Sequence, residues 1–290
     1  MVPLALLVWT CAELAIYGAV ARGVFDASWP EAMLGAGLML LATRACVNAV
    51  TWGFALAYRS PALRLSFLRT LVMVVGEYLA FLLTFVVVIP FERLWMPRDR
   101  LGPSSRPLVL VHGYGCSRGV WWFLRRRLEA AGHTVASVSL APPYVSIDKL
   151  VPLLTSRIEA VCRKTGAQQV ILVAHSMGGL VCRQYLARHG RSRVERLITI
   201  ASPHAGSQLA RIGIGANARE MEPGSQWLTD LASDEYRVPT LSIRTPHDNY
   251  VMPQDNQRLP GARDVELAGI GHLAVLYAGR TGDALLEACR

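Results

Sequence analysis

Three long apolar stretches open the chain, and behind them the rhythm changes. Residues 2–20 carry Glu13 as their one charged group, 33–58 carry Arg44 and Asn48 in an otherwise apolar run, and 71–90 are interrupted by Glu77. A helix of about twenty apolar residues crosses a bilayer. A helix on the surface of a soluble core would show a polar face, which these stretches scarcely do. The pattern predicts three membrane-spanning helices within residues 1–92, with two spans plus an interfacial segment as the alternative. From residue 107 the runs shorten. β-Branched apolar segments near 107–111, 134–139, 169–174, 195–200, 239–243 and 263–267 alternate with helical patterns at 118–131, 147–165, 177–189 and 273–289. Such alternation predicts an α/β fold, a mostly parallel sheet with helices on both faces. Residues 93–106, bearing Pro and Arg, read as a linker to a second domain at 107–290.

Charges inside apolar spans are costly, about 2.5–3.5 kcal/mol each on insertion scales, so Glu13, Arg44 and Glu77 are expected to pair within the bundle. Ala19-Val20-Ala21 resembles a signal-cleavage site, but no basic residue precedes the apolar run and Glu13 interrupts it, so the first segment is read as retained.

The candidate chemistry lies in the second domain. Val170-Ile171-Leu172-Val173-Ala174 leads into His175-Ser176-Met177-Gly178-Gly179, a strand that turns sharply at a serine and continues as a helix. A nucleophile elbow has this form, with small residues two positions either side of the serine; the usual pattern is G-x-S-x-G, and Ala174 departs from it by one methyl. Upstream, the strand Pro107-Leu108-Val109-Leu110-Val111 ends in His112-Gly113-Tyr114-Gly115. The backbone N–H of Tyr114, with that of Met177, is placed to meet a developing oxyanion. Downstream, Asp248 follows a strand and is the carboxylate best placed to orient a histidine, ahead of Asp255 and Asp264. His272 lies in the glycine-loosened turn Gly269-Ile270-Gly271-His272-Leu273. A serine hydroxyl is a weak nucleophile at neutral pH and needs such a base. Cys116 lies near the oxyanion loop without an elbow and reads as a small buried residue. Of Trp121 and Trp122, at least one reads as core, and Arg125-Arg126-Arg127 as the far side of their helix.

Residues 105–290 resemble a small α/β-hydrolase of the bacterial lipase/esterase kind, with an Ala-His-Ser-Met-Gly elbow. Four segments carry the resemblance: Val111-His112-Gly113-Tyr114-Gly115, Ala174-His175-Ser176-Met177-Gly178-Gly179, Ala201-Ser202-Pro203-His204-Ala205-Gly206-Ser207 and Gly269-Ile270-Gly271-His272-Leu273. The chain order Ser176, Asp248, His272 is that of this superfamily. The resemblance implies cleavage of acyl or lipid esters by a Ser176–His272–Asp248 triad, with an oxyanion hole at Tyr114 and Met177 on a loop that includes His112 and Gly113. It implies no metal and no organic cofactor. The stretch near 204–236, where the sheet rhythm stops, is where such enzymes carry a cap. An acyltransferase or thioesterase would share every one of these residues, and a non-catalytic membrane protein could carry the same fold.

Hydrophobic residues make up 52% of the chain and charged ones 18%, with a net charge of +9. The positive charge is nearly all arginine, since Lys149 and Lys164 are the only lysines. No basic-aromatic motif accompanies it, so membrane lipid rather than nucleic acid is the expected partner. No obligate protein partner is indicated. Arg59, Arg64 and Arg69 favour a cytoplasmic loop between the second and third spans, whereas Arg93, Arg98, Arg100 and Arg106 pull the segment after the third span to the same side. Three spans cannot satisfy both groups; the reading taken is an integral protein of a bacterial inner membrane with its second domain external. The six cysteines permit bridges without implying them.

Overall fold

The computed structural model describes residues 1–233 and 238–290. Helices α1 (Val2–Phe25) and α2 (Trp29–Ala57) form a hairpin, entered at α2 through a capping box between Ser28 and Glu31. Arg44 of α2 pairs with Glu13 of α1, which gives both intramembrane-type charges a partner inside the hairpin. Helix α3 (Phe67–Leu82) begins at Ser66, whose side chain accepts the Arg69 N–H, and runs on through a π-helical turn at Leu83–Val88. All three segments are long and apolar enough to cross a membrane. A short helix α4 (Glu92–Trp95) follows.

The sheet consists of β1 (Leu108–Val111), β2 (Val135–Val138), β3 (Val170–His175), β4 (Val194–Ile200), β5 (Thr240–Arg244) and β6 (Arg263–Glu266). Their order is β2-β1-β3-β4-β5-β6, parallel throughout. Strands β1 to β3 are buried at every position, as a parallel sheet covered on both faces requires. Helices α6 (Ile147–Thr165) and α7 (Met177–His189) contribute to the core on one face. Helices α5 (Trp122–Ala130) and α10 (Gly279–Ala288) contribute to the core on the other. Helices α8 (Ala216–Glu220) and α9 (Gln226–Ser233) lie in the excursion between β4 and β5. The stretch 204–236, expected to be a cap, holds a 3₁₀ turn at Gln208–Ile212 and these two short helices, and its residues 234–236 lie outside those described.

Several expectations change. The helix anticipated at 118–131 starts with a 3₁₀ turn at Arg118–Trp121, and the one at 273–289 is split into a 3₁₀ turn at Ala274–Tyr277 and α10, because Ala278 is extended. Glu77 does not pair within the bundle: its carboxyl group turns out of α3 and accepts the backbone N–H groups of Leu273 and Ala274. Arg125 is buried, not on an outer face. With Arg118 and Arg157 it surrounds Asp99, so the linker is pinned to the second domain by ion pairs. Buried charges are tolerated when paired in this way.

Candidate active site

Strand β3 ends at His175, and the chain reverses through Ser176 into α7. Ser176 has φ 55° and ψ −131°, a conformation that costs a non-glycine residue energy and marks a turn held by its surroundings. Its N–H donates to the Ile200 carbonyl at 2.9 Å. Space around the turn explains its small neighbours. A Cβ on Gly178 would lie 2.8 Å from the His112 carbonyl oxygen and nearer still to that of Val111, and one on Gly113 would lie 2.8 Å from Ser176 Cβ. Ala174 is wholly buried in β3.

The loop after β1, where the oxyanion hole is expected, is fixed by His112. Its Nε2 accepts the Leu140 N–H at 3.0 Å, so Nδ1 carries the proton and donates to the Gly113 carbonyl at 2.9 Å. Burial pushes this imidazole's pKa down to about 4, which keeps it neutral. Among the described residues, the N–H groups of Tyr114 and Met177 have no acceptor. The Tyr114 hydroxyl donates to the Ile214 carbonyl at 2.7 Å and accepts the Ile214 N–H at 2.8 Å, tying the β4–β5 excursion to the loop.

Asp248 is fully buried. One oxygen accepts the N–H groups of Tyr250 and Val251, at 2.7 and 2.8 Å; the other meets His272 Nδ1 at 2.8 Å. The Tyr250 ring stacks on His272, centroids 4.9 Å apart and planes 24° from parallel, and the His175 ring packs on it at 4.7 Å. The other carboxylates are engaged elsewhere: Asp255 pairs with Arg258, and Asp264 with Arg244 and Arg258. Among the described residues Ser176 Oγ makes no hydrogen bond, so the serine–histidine contact is not closed; such contacts often tighten only when substrate is bound. Cys116 is buried, its pKa pushed up to about 12, and His204 is held between Thr199 and Arg183.

Residues outside the motifs complete the site. Asn249 accepts the His272 N–H through Oδ1 at 3.2 Å and donates through Nδ2 to Thr51 of α2 at 2.8 Å. A Cβ on Gly271 would lie 2.5 Å from Glu77, so the turn before His272 is shaped around that side chain. A cavity of about 340 Å³ adjoins Ser176 and Tyr250; Val47 and Val50 of α2 form one wall, Leu209 and Ile212 of the β4–β5 excursion another. No sequence spacing announces that α2 lines this cavity.

Residues 106–222 match a family model described as the alpha/beta hydrolase fold. The curated relatives include Methylesterase 7 of Arabidopsis thaliana, 35% identical over 86 residues, 27% of this chain and 32% of that protein. They also include a pimeloyl-[acyl-carrier protein] methyl ester esterase of Salmonella heidelberg, 31% identical over 101 residues, 35% of this chain and 38% of that protein. The chain thus spans about a third of the length of these relatives. Among solved structures, the mature lipase BlEst2 of Bacillus licheniformis superposes with a TM-score of 0.59 at 20% identity, covering 67% of this chain and 96% of that one. With its parallel sheet, strand order and elbow, the second domain has the α/β-hydrolase fold, and the proteins it is similar to include esterases and a lipase.

Proposed function

We propose that the protein is a membrane-anchored serine hydrolase that cleaves carboxylic esters of acyl or lipid type. The observation that carries this reading is the buried Asp248–His272 hydrogen bond together with a strained serine that opens on an apolar cavity. Ser176 Oγ attacks the ester carbonyl while His272 Nε2 takes its proton. Asp248 holds the imidazole in the tautomer that can do so and stabilises the imidazolium. The N–H groups of Tyr114 and Met177 meet the oxyanion, a contribution of roughly 3–4 kcal/mol per donor. The intermediate collapses, His272 returns the proton to the leaving alcohol, and water attacks the acyl-enzyme to release the acid.

The named activities of the curated relatives, both on methyl esters, favour ester hydrolysis. The apolar cavity favours an acyl chain, and the exposed apolar length of α1 and α2 favours anchoring in a bilayer. The test is hydrolysis of p-nitrophenyl esters from acetate to palmitate by detergent-purified protein beside Ser176→Ala. Activity lost in the variant supports the reading. A folded wild type inert across the series rejects it.

A further inference from the structure

Helix α3 is apolar enough to span a bilayer, yet the second domain touches the chain before it, along it and after it. Ahead of α3, the Ser60 N–H donates to Gln254 Oε1 at 2.7 Å, the Asp255 N–H to Ser60 Oγ at 2.9 Å, and His247 Nε2 to the Leu63 carbonyl at 3.0 Å. Midway, Glu77 accepts from Leu273 and Ala274; near the end, the Thr84 and Tyr277 hydroxyls lie 2.7 Å apart. The segment Phe67–Val88 has 22 residues, about 33 Å of helix at 1.5 Å per residue, the thickness of a bilayer's hydrocarbon. Were it to span, the loops around Asp248, Gln254 and His272 would be carried into hydrocarbon along its length. Lipid-exposed irregular backbone is not tolerated there.

Apart from Tyr78, whose hydroxyl donates to the Leu41 carbonyl of α2 at 2.7 Å, the opposite face of α3 is apolar and open: Phe67, Leu68, Leu71, Val72, Val75 and Leu79 are exposed, Phe67 by 84%. Such a two-faced helix, with one face docked on protein, suits the plane of a membrane. The hairpin fits the same frame. Val2 and Leu6 of α1 and Val47, Val50 and Thr51 of α2 face the second domain, while the 26–28 turn lies at the hairpin's far end.

We infer that α1 and α2 alone cross the membrane, that α3 lies in its surface with the exposed face in lipid, and that the second domain therefore sits on the cytoplasmic side. This replaces three spans and an external domain. It also removes the conflict among the arginines: Arg59, Arg64 and Arg69 now share one side with Arg93, Arg98, Arg100 and Arg106, whereas the hairpin turn is flanked by Arg22, Asp26 and Glu31. The positive-inside tendency then points one way. The partner of α3 is a lipid surface, and the α2 wall of the catalytic cavity stands where that surface begins.

The inference rests on the membrane anchoring proposed above and is independent of the catalytic reading. Its test is labelling of one introduced cysteine at a time, with the exposed Cys11 and Cys46 replaced by serine and the four buried cysteines kept, by a membrane-impermeant maleimide on sealed spheroplasts and on inverted vesicles, the protein without an introduced cysteine serving as the blank. The expected result is that Ala62→Cys, before α3, and Gly102→Cys, after it, label only in inverted vesicles, while Ala27→Cys labels only in spheroplasts. Ala62→Cys and Gly102→Cys on opposite faces would overturn the in-plane helix, and both on the outer face would overturn the cytoplasmic side. Protein released from the membranes by carbonate would instead reject the anchoring.

Discussion

Asn249 links Thr51 to His272: it donates to the threonine of α2 and accepts the backbone N–H of the histidine. A helix from the apolar N-terminal region therefore reaches the candidate base through one side chain. Glu77 of α3 makes a second such link, to the two residues that follow His272. The apolar helices thereby scaffold the loops that hold Asp248 and His272.

Glu77→Ala is expected to lower kcat by about 10- to 100-fold, the scale on which small misplacements of a catalytic group act, with KM changing far less. Glu77→Gln keeps one accepting oxygen and should recover much of the loss. Tyr78→Phe, which removes a bond from α3 to the Leu41 carbonyl of α2, controls for a loosened bundle. The split between kcat and KM for p-nitrophenyl butyrate checks this; a folded Glu77→Ala with wild-type kcat would show the link to be structural only.

Asp248→Asn keeps an oxygen for the Tyr250 and Val251 N–H groups but presents the wrong partner to His272. The fold should persist while kcat falls on the order of 10³- to 10⁴-fold. Circular dichroism and ester turnover on the same sample separate the two effects.

Val50 lines the cavity beside Ser176. Val50→Trp fills part of it and should shift the preferred p-nitrophenyl ester toward shorter chains, lowering the ratio of palmitate to butyrate kcat/KM by tenfold or more, the scale of one or two methylenes in an apolar pocket. An unchanged ratio would place the acyl chain elsewhere.

His112 is held neutral, its pKa lowered from 6.5 to about 4 by burial. Above pH 6.5 neither state binds the extra proton. Between 6.5 and 4 the unfolded chain binds it and the folded chain does not, so stability falls as pH falls and levels off below 4, a loss of about 3 kcal/mol. His175 and His204, lowered by burial too, add in the same direction. Urea unfolding in mild detergent should therefore show a smaller difference between pH 7.5 and pH 4.5 for His112→Gln than for the wild type.

The inner strands were legible because they are short, apolar and largely buried, so composition and length mark them to within a residue or two; the polar edge strand β6 was marked by its place between turn residues. The elbow was legible because steric demands at Gly178 and Gly113 leave few residue choices. Local pattern fails where partners are distant. Glu77 reads as a charge in need of a neighbour on another span, and its partners are backbone groups 196 and 197 positions away. Asp99 sits in a segment that looks like a linker, and only the fold gathers Arg118, Arg125 and Arg157 around it. Hydropathy likewise marks α3 as membrane-seeking without telling a span from a helix whose other face rests on protein.

The most direct test of the central claim is mass spectrometry of the purified protein after exposure to a fluorophosphonate, which phosphonylates an activated serine. The account predicts a single adduct on Ser176, absent in Ser176→Ala and formed far more slowly in His272→Ala. A folded wild type that hydrolyses esters yet takes no adduct, or takes it on another residue, would contradict it.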